Sequence, residues 1–283
     1  MSQSTLTSLL LGFLVSLAIA FLAYRRDSLS QSGAVGALIV GTLIFGLGGW
    51  VWGVMLGVFF VSSSALSHFR EREKAAAAEK FEKGHRRDIG QVAANGGLGA
   101  LVALASAVVP DSLVPPGVWF ALFTGVMATV TADTWATELG TLSKAPPRFI
   151  TNGRAVEVGT SGGVSPLGTG VSFAGGLLIG LTAGLLAPVA GLLPWSAALP
   201  VALIGALSGA AGSLIDSLMG ATVQQIYYCD TCGKETERKL HRCGTTTRPL
   251  RGWGWMNNDM VNLLSSLGGG LVAVGCFYFL SLT

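Results

Sequence analysis

Two acidic residues, Asp133 and Glu138, interrupt an apolar segment at residues 118–140 that is otherwise suited to crossing a membrane. A carboxylate in hydrocarbon costs at least ~2.5–3.5 kcal/mol, and such residues usually face a polar cavity, an ion or a partner charge. The segment therefore predicts a functional site where these two side chains meet the rest of the protein.

A turn rich in glycine and hydroxyl groups follows at residues 159–165, just before the next apolar segment. Glycine allows close backbone approach, and free N–H groups at a helix N-terminus attract phosphate. The candidate phosphate-binding residues are Thr160, Ser161, Gly162, Gly163 and Ser165. Arg148 and Arg154, just upstream, are suited to pairing with phosphate oxygens. The turn lacks the spacing of a P-loop or of a dinucleotide-binding loop, so its significance depends on the nearby acidic segment.

Asp133 and Glu138 are five positions apart, which places them about 140° apart around a straight helix. They cannot chelate one ion as a simple pair, so a shared site requires a broken helix or several helices around it. Carboxylates suit Mg²⁺, which usually binds one or two of them together with substrate phosphate oxygens. We predict Asp133, Asp216 and Asp259 as Mg²⁺ ligands. The alternative is that these carboxylates cap helices or form interhelical hydrogen bonds.

A second group of candidate ligands lies in a polar loop at residues 221–256. Its motifs are C-x₂-C-G and H-x-C-G, and the ligands are Cys229, Cys232, His241 and Cys243. Two ligand pairs on tight glycine turns fit a closed tetrahedral Zn²⁺ site, so we predict a structural zinc knuckle. Redox-active cysteines or a disulfide are the alternatives, and a permanent disulfide is disfavoured in a reducing cytoplasm.

The composition is that of a helical membrane protein, because 51% of the 283 residues are hydrophobic, 12% are charged and 40 are glycine. It excludes a soluble enzyme, and we expect no nucleic-acid partner. At roughly 20 residues per span, the chain is one integral membrane domain, 1–283, of eight helices. The predicted helices lie near residues 5–24, 33–49, 50–67, 90–110, 117–140, 167–190, 197–220 and 259–281.

The distribution of basic residues predicts the orientation in the membrane. All 18 Lys and Arg residues fall in four alternate connections, at residues 25–26, 70–87, 144–154 and 234–251. The positive-inside rule makes these connections cytoplasmic and places both termini on the opposite side. Merging helices two and three would put basic clusters on both sides, so we predict a break at residues 46–49. The connection 68–87 is rich in Ala, Glu and Lys, which predicts that helix three continues into the cytoplasm.

Three helices end on the predicted cytoplasmic side with polar groups among small residues, at 62–66, 132–136 and 214–218. Each is followed by a basic connection and by a helix that opens with amide, hydroxyl or glycine groups. Asn95 and Asn258, in two of these openings, are candidate cofactor-binding residues. The pattern suggests three helix–loop–helix repeats, which would bring all the intramembrane carboxylates to one depth on one side.

Four strings, ADTWATELGTLSKAPPRFIT, GTSGGVS, DSLMGATVQ and WMNNDMVN, resemble the membrane family catalogued as domain of unknown function 92. That family includes transmembrane protein 19 and the phytyl-phosphate kinase of tocopherol synthesis, and it looks related to CTP-using lipid enzymes. The resemblance implies an acidic motif at Asp133 and Glu138, a phosphate loop at residues 160–165 and a second acidic motif at Asp216.

The residues and the resemblance together predict a kinase that transfers the γ-phosphoryl group of CTP, or of another nucleoside triphosphate, to a prenyl monophosphate such as phytyl phosphate. Mg²⁺ is the expected cofactor, and the candidate catalytic residues are Asp133, Glu138, Arg148 and Asp216. A CTP-dependent cytidylyltransferase and a membrane transporter are the alternatives. We expect a multi-pass protein of a prokaryotic plasma membrane or a thylakoid-type membrane, with a cytoplasmic active face. The prenyl chain and the oligomeric state stay open.

Overall fold

The computed structural model describes residues 3–70, 73, 80 and 86–281, and eight long helices account for most of them. The helices are α1 (Gln3–Arg25), α2 (Gln31–Gly48), α3 (Trp50–His68), α4 (Ile89–Val108), α5 (Pro116–Gly140), α6 (Pro166–Val189), α7 (Ala198–Thr222) and α8 (Asn258–Ser281). The prediction of an all-helical bundle is confirmed, and each helix begins and ends within a few residues of its predicted bounds. The predicted continuation of α3 falls almost entirely outside the described residues.

Seven of these helices are long and apolar enough to cross a membrane, namely all except α5. α5 is 25 residues long, which corresponds to ~37 Å of helix, but threonines and two carboxylates lower its apolar character. Its buried side chains run almost without interruption from Phe120 to Ala132. α5 is therefore the central helix of the bundle, and its neighbours separate it from lipid.

The predicted break between α2 and α3 occurs at Gly49, whose φ of 86° favours glycine. The backbone N–H of Ser30, before α2, donates to Arg87 O at 2.9 Å. Near the end of α3, Ser67 Oγ donates to Glu138 at 2.7 Å. α2 therefore begins, and α3 ends, at the same end of the bundle, as the distribution of basic residues requires.

The four connections that contain the Lys and Arg residues meet at one end of the molecule, which we call the basic end. Lys80 Nζ of the second connection donates to Thr160 Oγ1 of the third at 3.2 Å. The N–H of Glu237, in the fourth connection, donates to Lys80 O at 3.0 Å. Arg87 N donates to Ser28 O of the first connection at 3.1 Å.

Side-chain caps start the helices that enter the membrane from the basic end. Asp88 and Gln91 form a reciprocal capping box at the start of α4. Ser165 Oγ accepts from Gly168 N at 3.1 Å before α6, and Asn257 Oδ1 accepts from Met260 N at 3.0 Å before α8. The polar groups that open these helices in the sequence thus include their N-caps.

Small residues set the packing between helices, as is usual inside membranes. Gly176 and Gly180 lie against α7, where an added Cβ would stand 2.6 Å from Gly205 O and 2.5 Å from Ala202 O, respectively. Larger side chains fill the centre, where the Trp52 ring stacks on Phe123 with 4.1 Å between centroids. The backbones of α6 and α7 can therefore approach closely enough to align the polar ends of the helices.

Two small sheets lie in the connections at the basic end. β1 (Arg148–Phe149) pairs antiparallel with β2 (Gly163–Val164) and closes the segment before α6. β3 (Ile226–Cys229), β4 (Lys234–Thr236) and β5 (Arg248–Arg251) form an antiparallel sheet in the order β4-β3-β5 between α7 and α8. We call this second sheet, with its turns, the ribbon.

Candidate functional site

A polar cavity of about 670 Å³ opens among the helices at the basic end. Its walls come from the last turns of α3, α5 and α7, the first turns of α4, α6 and α8, and the loop 159–165. Polar side chains of the lining include Ser67, Gln91, Asn95, Asp133, Thr134, Thr137, Glu138, Thr160, Ser161, Asp216, Ser217, Asn258, Asp259 and Asn262. The three proposed helix–loop–helix units thus contribute to one cavity, which is the arrangement that a threefold repeat predicts.

Asp133 and Glu138 reach this cavity from different sides of α5, because the helix is continuous through both residues. Asp133 Oδ1 accepts a hydrogen bond from Ser213 Oγ of α7 at 3.3 Å, and Glu138 accepts one from Ser67 Oγ of α3 at 2.7 Å. Of the two arrangements expected from the sequence, this is the one in which several helices surround the site, and no break in α5 is needed.

Asp133 and Asp216 both line the cavity, and each lies within range of the other's charge. Asp216 accepts from Ser265 Oγ of α8 at 3.0 Å. Within the described part of the chain, neither carboxylate pairs with a Lys, Arg or His side chain. Two neighbouring carboxylates without a cationic partner are costly in a low-dielectric site, so the pair has the electrostatic character of a cation site.

The three aspartates predicted to bind Mg²⁺ do not form a closed cage. Asp259 lines the same cavity from the first turn of α8. Among the described residues, however, the one cluster of three or more ligand side chains that could hold an ion is the Cys and His group of the ribbon. The aspartates fit a cation that takes its remaining ligands from substrate oxygens and water, which is how Mg²⁺ usually binds.

The loop 159–165 lines the cavity but uses many of its own polar groups. The N–H of Gly163 donates to Thr160 O at 3.0 Å, and the N–H of Thr160 donates to Glu157 O at 3.1 Å. Ser161 Oγ donates to Gln224 Oε1 at 2.6 Å. The backbone N–H of Gly163, a candidate phosphate-binding residue, is therefore already used by a turn within the loop.

Gly162 has a structural reason to be glycine. Its φ is 86°, and an added Cβ would lie 2.6 Å from the backbone of Ala221 at the end of α7. A Cβ on Gly163 would lie 3.0 Å from Thr160 O and 3.1 Å from Val156 Cγ2. The two glycines thus let the loop pack against α7 and against itself, which differs from the expected role of clearing space for phosphate.

The arginines of the cavity are not those expected from the sequence. Arg148 is exposed in β1, and its Nη1 donates to Gly153 O at 2.8 Å, so the structure does not bring it to the cavity. Arg154 is also exposed. Arg87 and Arg242 line the cavity instead. Neither arginine was predicted from the sequence, although Arg87 directly precedes the capping residue of α4.

Comparison with known proteins gives the family of this chain. The family model described as Integral membrane protein DUF92 matches residues 14–270. The chain belongs to this family. It is 34% identical over 284 residues to Protein PGR of Arabidopsis thaliana. The aligned region covers 94% of this chain and 95% of that protein.

Other relatives of this DUF92 chain are more distant. It is 28% identical to an uncharacterized membrane protein of Methanocaldococcus jannaschii, with 96% of each chain covered. It is 24% identical to the chloroplastic protein VTE6 of Arabidopsis thaliana, with 87% of this chain and 64% of that protein covered. No solved structure matches the chain.

Asn95 of this DUF92 protein reaches the cavity from an irregular part of α4. Residues Ala93–Gly97 form a π-helical turn between the regular segments Ile89–Val92 and Leu98–Val108. Such turns occur frequently at functional sites, because they redirect a side chain without ending the helix. Asn258, at the start of α8, lines the same cavity. Both amides predicted to bind a cofactor therefore line the polar cavity.

Proposed function

We propose that this protein is a lipid-phosphate kinase that transfers the γ-phosphoryl group of CTP, or of another nucleoside triphosphate, to a prenyl monophosphate such as phytyl phosphate. The observation that carries the proposal is the pair Asp133 and Asp216, which line one polar cavity at the membrane face and lack a cationic partner within the described residues. Membership of the DUF92 family and the sequence resemblance to phytyl-phosphate kinase support the choice of reaction and acceptor.

In the proposed reaction, an oxygen of the acceptor phosphate forms a bond to the γ-phosphorus. The bond from that phosphorus to the β–γ bridging oxygen breaks, and a nucleoside diphosphate leaves. The second pKa of a phosphate monoester is about 6, so the acceptor is largely deprotonated at neutral pH and needs no general base. The lack of a histidine base in the described lining is therefore compatible with this chemistry.

The residues of the cavity would act by positioning and by stabilising charge, which dominate phosphoryl transfer. Asp133 and Asp216 would hold Mg²⁺, with Asp259 nearby, and the ion would neutralise charge on the β- and γ-phosphates. Arg242 would offset the remaining negative charge of the nucleotide. Asn95 and Asn258 are placed to donate hydrogen bonds to the nucleotide.

The position of the carboxylates favours an enzyme over a transporter. The intramembrane acidic residues of α5 and α7 lie within the last eight residues of these helices, near one end of the bundle. A transporter with alternating access places its ionisable site near the midplane, between two gates. A cavity at one membrane face instead suits a lipid acceptor and a water-soluble nucleotide that meet at the interface.

The test is a reaction of detergent-purified protein with phytyl phosphate, Mg²⁺ and each of the four nucleoside triphosphates, followed by mass spectrometry. We expect phytyl diphosphate and a nucleoside diphosphate, with the highest yield from CTP. Omission of Mg²⁺ should remove the product. Release of pyrophosphate with a cytidylated lipid would identify a cytidylyltransferase, and no lipid product with any nucleotide would contradict the proposal.

A further inference from the structure

An apolar groove of about 90 Å³ lies among the first four helices, beside the polar cavity. Side chains of α1, α2 and α3 line most of it, including Ile19, Val40, Leu56 and Phe59. Three residues line both spaces, namely Arg87 just before α4 and Gln91 and Asn95 within its first turns. The polar, acidic cavity and the apolar groove next to α1 therefore adjoin at these three residues.

Arg87 stands at this junction in an unusual environment. The residue is only 9% exposed, and its Nη1 has no hydrogen-bond partner. Its guanidinium lies over the rings of Phe59 and Phe60, at 5.4 and 5.5 Å from their centroids. Burial lowers the pKa of Arg87 to about 10, against the opposing effect of the Glu138 charge, so the group stays protonated at neutral pH. A buried cation with an unused donor is costly unless a ligand completes its hydrogen bonds.

We infer that Arg87 binds the phosphate of the lipid acceptor and that the apolar groove holds the first part of its hydrocarbon chain. The inference rests on the proposed function for the choice of a prenyl monophosphate. A lipid monophosphate has a charged head and an apolar tail, and the junction offers a buried guanidinium on one side and aliphatic side chains on the other. The groove is too small for a whole prenyl chain, so the rest of the tail extends towards lipid beside α1, whose outward leucines are exposed.

The first experiment compares Arg87→Gln with Arg26→Gln, which removes the same charge from an exposed position at the basic end. Binding of phytyl phosphate, inorganic phosphate and CTP is measured by calorimetry on purified protein in detergent. We expect Arg87→Gln to weaken phytyl phosphate binding ten- to a hundredfold, as the loss of charge-assisted hydrogen bonds implies, and to leave CTP binding unchanged. Arg87→Lys, which keeps the charge, should retain more affinity.

A second variant tests the groove without touching Arg87. Gly57 lines the groove, and a Cβ added there meets no atom within 4 Å, so Gly57→Leu starts its side chain in open space. Gly275→Leu in α8 is the matched control, because that position is equally open and lies outside both cavities. Gly57→Leu should weaken phytyl phosphate binding at least tenfold and leave inorganic phosphate binding unchanged.

These outcomes separate the inference from the proposed reaction. Loss of CTP binding with normal phytyl phosphate binding in Arg87→Gln would overturn the inference and assign Arg87 to the nucleotide. Normal phytyl phosphate binding by Gly57→Leu would overturn the assignment of the groove. A wild-type protein that binds phytyl phosphate through Arg87 but never phosphorylates it would support the lipid site and contradict the kinase.

The ribbon carries a second inference on independent evidence. Sγ of Cys229 lies 3.7 Å from Sγ of Cys243, and Sγ of Cys232 lies 3.6 Å from Nδ1 of His241. All four ligand atoms lie within 4.8 Å of one another. Ligands bound at ~2.3 Å around a tetrahedral centre are ~3.8 Å apart, so these spacings match a Zn²⁺ site.

The ribbon also forms part of the cavity wall. Glu237 and Arg242 both line the cavity. Glu237 precedes the His241–Cys243 turn, and Arg242 lies within it. Gln224 Nε2 donates to Glu237 Oε1 at 2.9 Å, and Arg251 Nη2 of β5 donates to Ser161 O at 3.1 Å. The ribbon therefore contacts both the end of α7 and the loop 159–165.

The geometry points to a structural Zn²⁺ ion that fixes the ribbon and, through it, the wall that presents Arg242 to the cavity. Three short strands bury too little apolar surface to be stable alone, and a structural metal contributes its binding free energy to the fold of such a segment. The site requires reduced cysteines, and the described cysteines form no disulfide.

Zinc content of the purified protein tests this site directly. Elemental analysis under reducing conditions should find one zinc per chain in the wild type and in Cys276→Ser, which removes a cysteine of α8 outside the cluster. Cys229→Ser and Cys232→Ser should lose the zinc and lower the melting temperature, and amide exchange in residues 226–251 should accelerate at least tenfold. A zinc-free wild type, or full zinc content in both ligand variants, would overturn the assignment.

Discussion

Asp133 and Asp216 are the residues on which the proposed chemistry depends most. We expect Asp133→Asn and Asp216→Asn each to lower the rate of phosphoryl transfer at least about a hundredfold, since they remove charge at the position of the metal and retain side-chain size. Asp111→Asn, on the exposed connection at the opposite end, is the matched control and should leave the rate unchanged. Steady-state assays at limiting Mg²⁺, with melting temperatures of the same preparations, measure both effects, and a fully active Asp133 variant would contradict the metal assignment.

Gly162 tests how the loop 159–165 is held. Gly162→Ala should destabilise the protein by more than the ~1–2 kcal/mol of a left-handed conformation, because its Cβ also meets Ala221. Gly153→Ala is the control, since its φ of 70° is also positive but its Cβ meets no atom within 4 Å. The difference between the two melting temperatures reports the contact with α7. Equal losses would mean that the loop moves away from Ala221 at little cost.

At the scale of single residues, the sequence predicts which residues share one cavity but not which interactions each of them forms. Asp133, Glu138, Asp216 and Asp259 share one cavity because polar groups recur at the same ends of alternate helices. The hydrogen bond from Gly163 depends on a turn geometry that no residue pattern determines. Arg87 could not be distinguished from its basic neighbours, since only tertiary packing buries it against the rings of two phenylalanines.

The shape of the site depends on the contact between α6 and α7. Gly180→Val should lower the melting temperature in detergent and reduce activity, because its Cβ would stand 2.5 Å from a backbone carbonyl that cannot move without separating the helices. Overpacking of this kind costs ~1–3 kcal/mol. Gly170→Val, on the same helix, adds the same side chain where its Cβ meets no atom within 4 Å, so it should be nearly neutral. Similar melting temperatures for the two variants would show that the interface tolerates the added bulk.

The bounds of the helices were predicted more accurately than the contacts between them, because the bounds of a helix depend on local chemistry. Apolar length defined the helices, and Gly49 marked the division between α2 and α3. The ribbon was expected only as a loop with metal ligands, since strands of three or four residues give little periodicity. The central position of α5 also required the structure, because burial among other helices and exposure to lipid select similar apolar residues.

We predict the orientation of the whole molecule from its basic end, which the positive-inside rule places in the cytoplasm. A protein with both termini opposite that end should give active alkaline phosphatase when the enzyme is fused after Thr283, and it should give no fluorescence with green fluorescent protein fused there. These reporters function on opposite sides of a bacterial plasma membrane, so the pair gives a direct answer. The reverse pattern would place the cavity outside the cytoplasm, away from nucleoside triphosphates, and would contradict the proposed reaction.

The central claim is that the γ-phosphoryl group of the nucleotide reaches the lipid acceptor. The most direct measurement incubates purified protein with phytyl phosphate, Mg²⁺ and CTP that carries a radioactive label on either the γ- or the α-phosphorus, and then extracts the lipid. We predict that the γ-label appears in phytyl diphosphate, that the α-label stays in the aqueous phase, and that Asp133→Asn abolishes the transfer. An α-label in the lipid, or no label in the lipid from either nucleotide, would contradict the account.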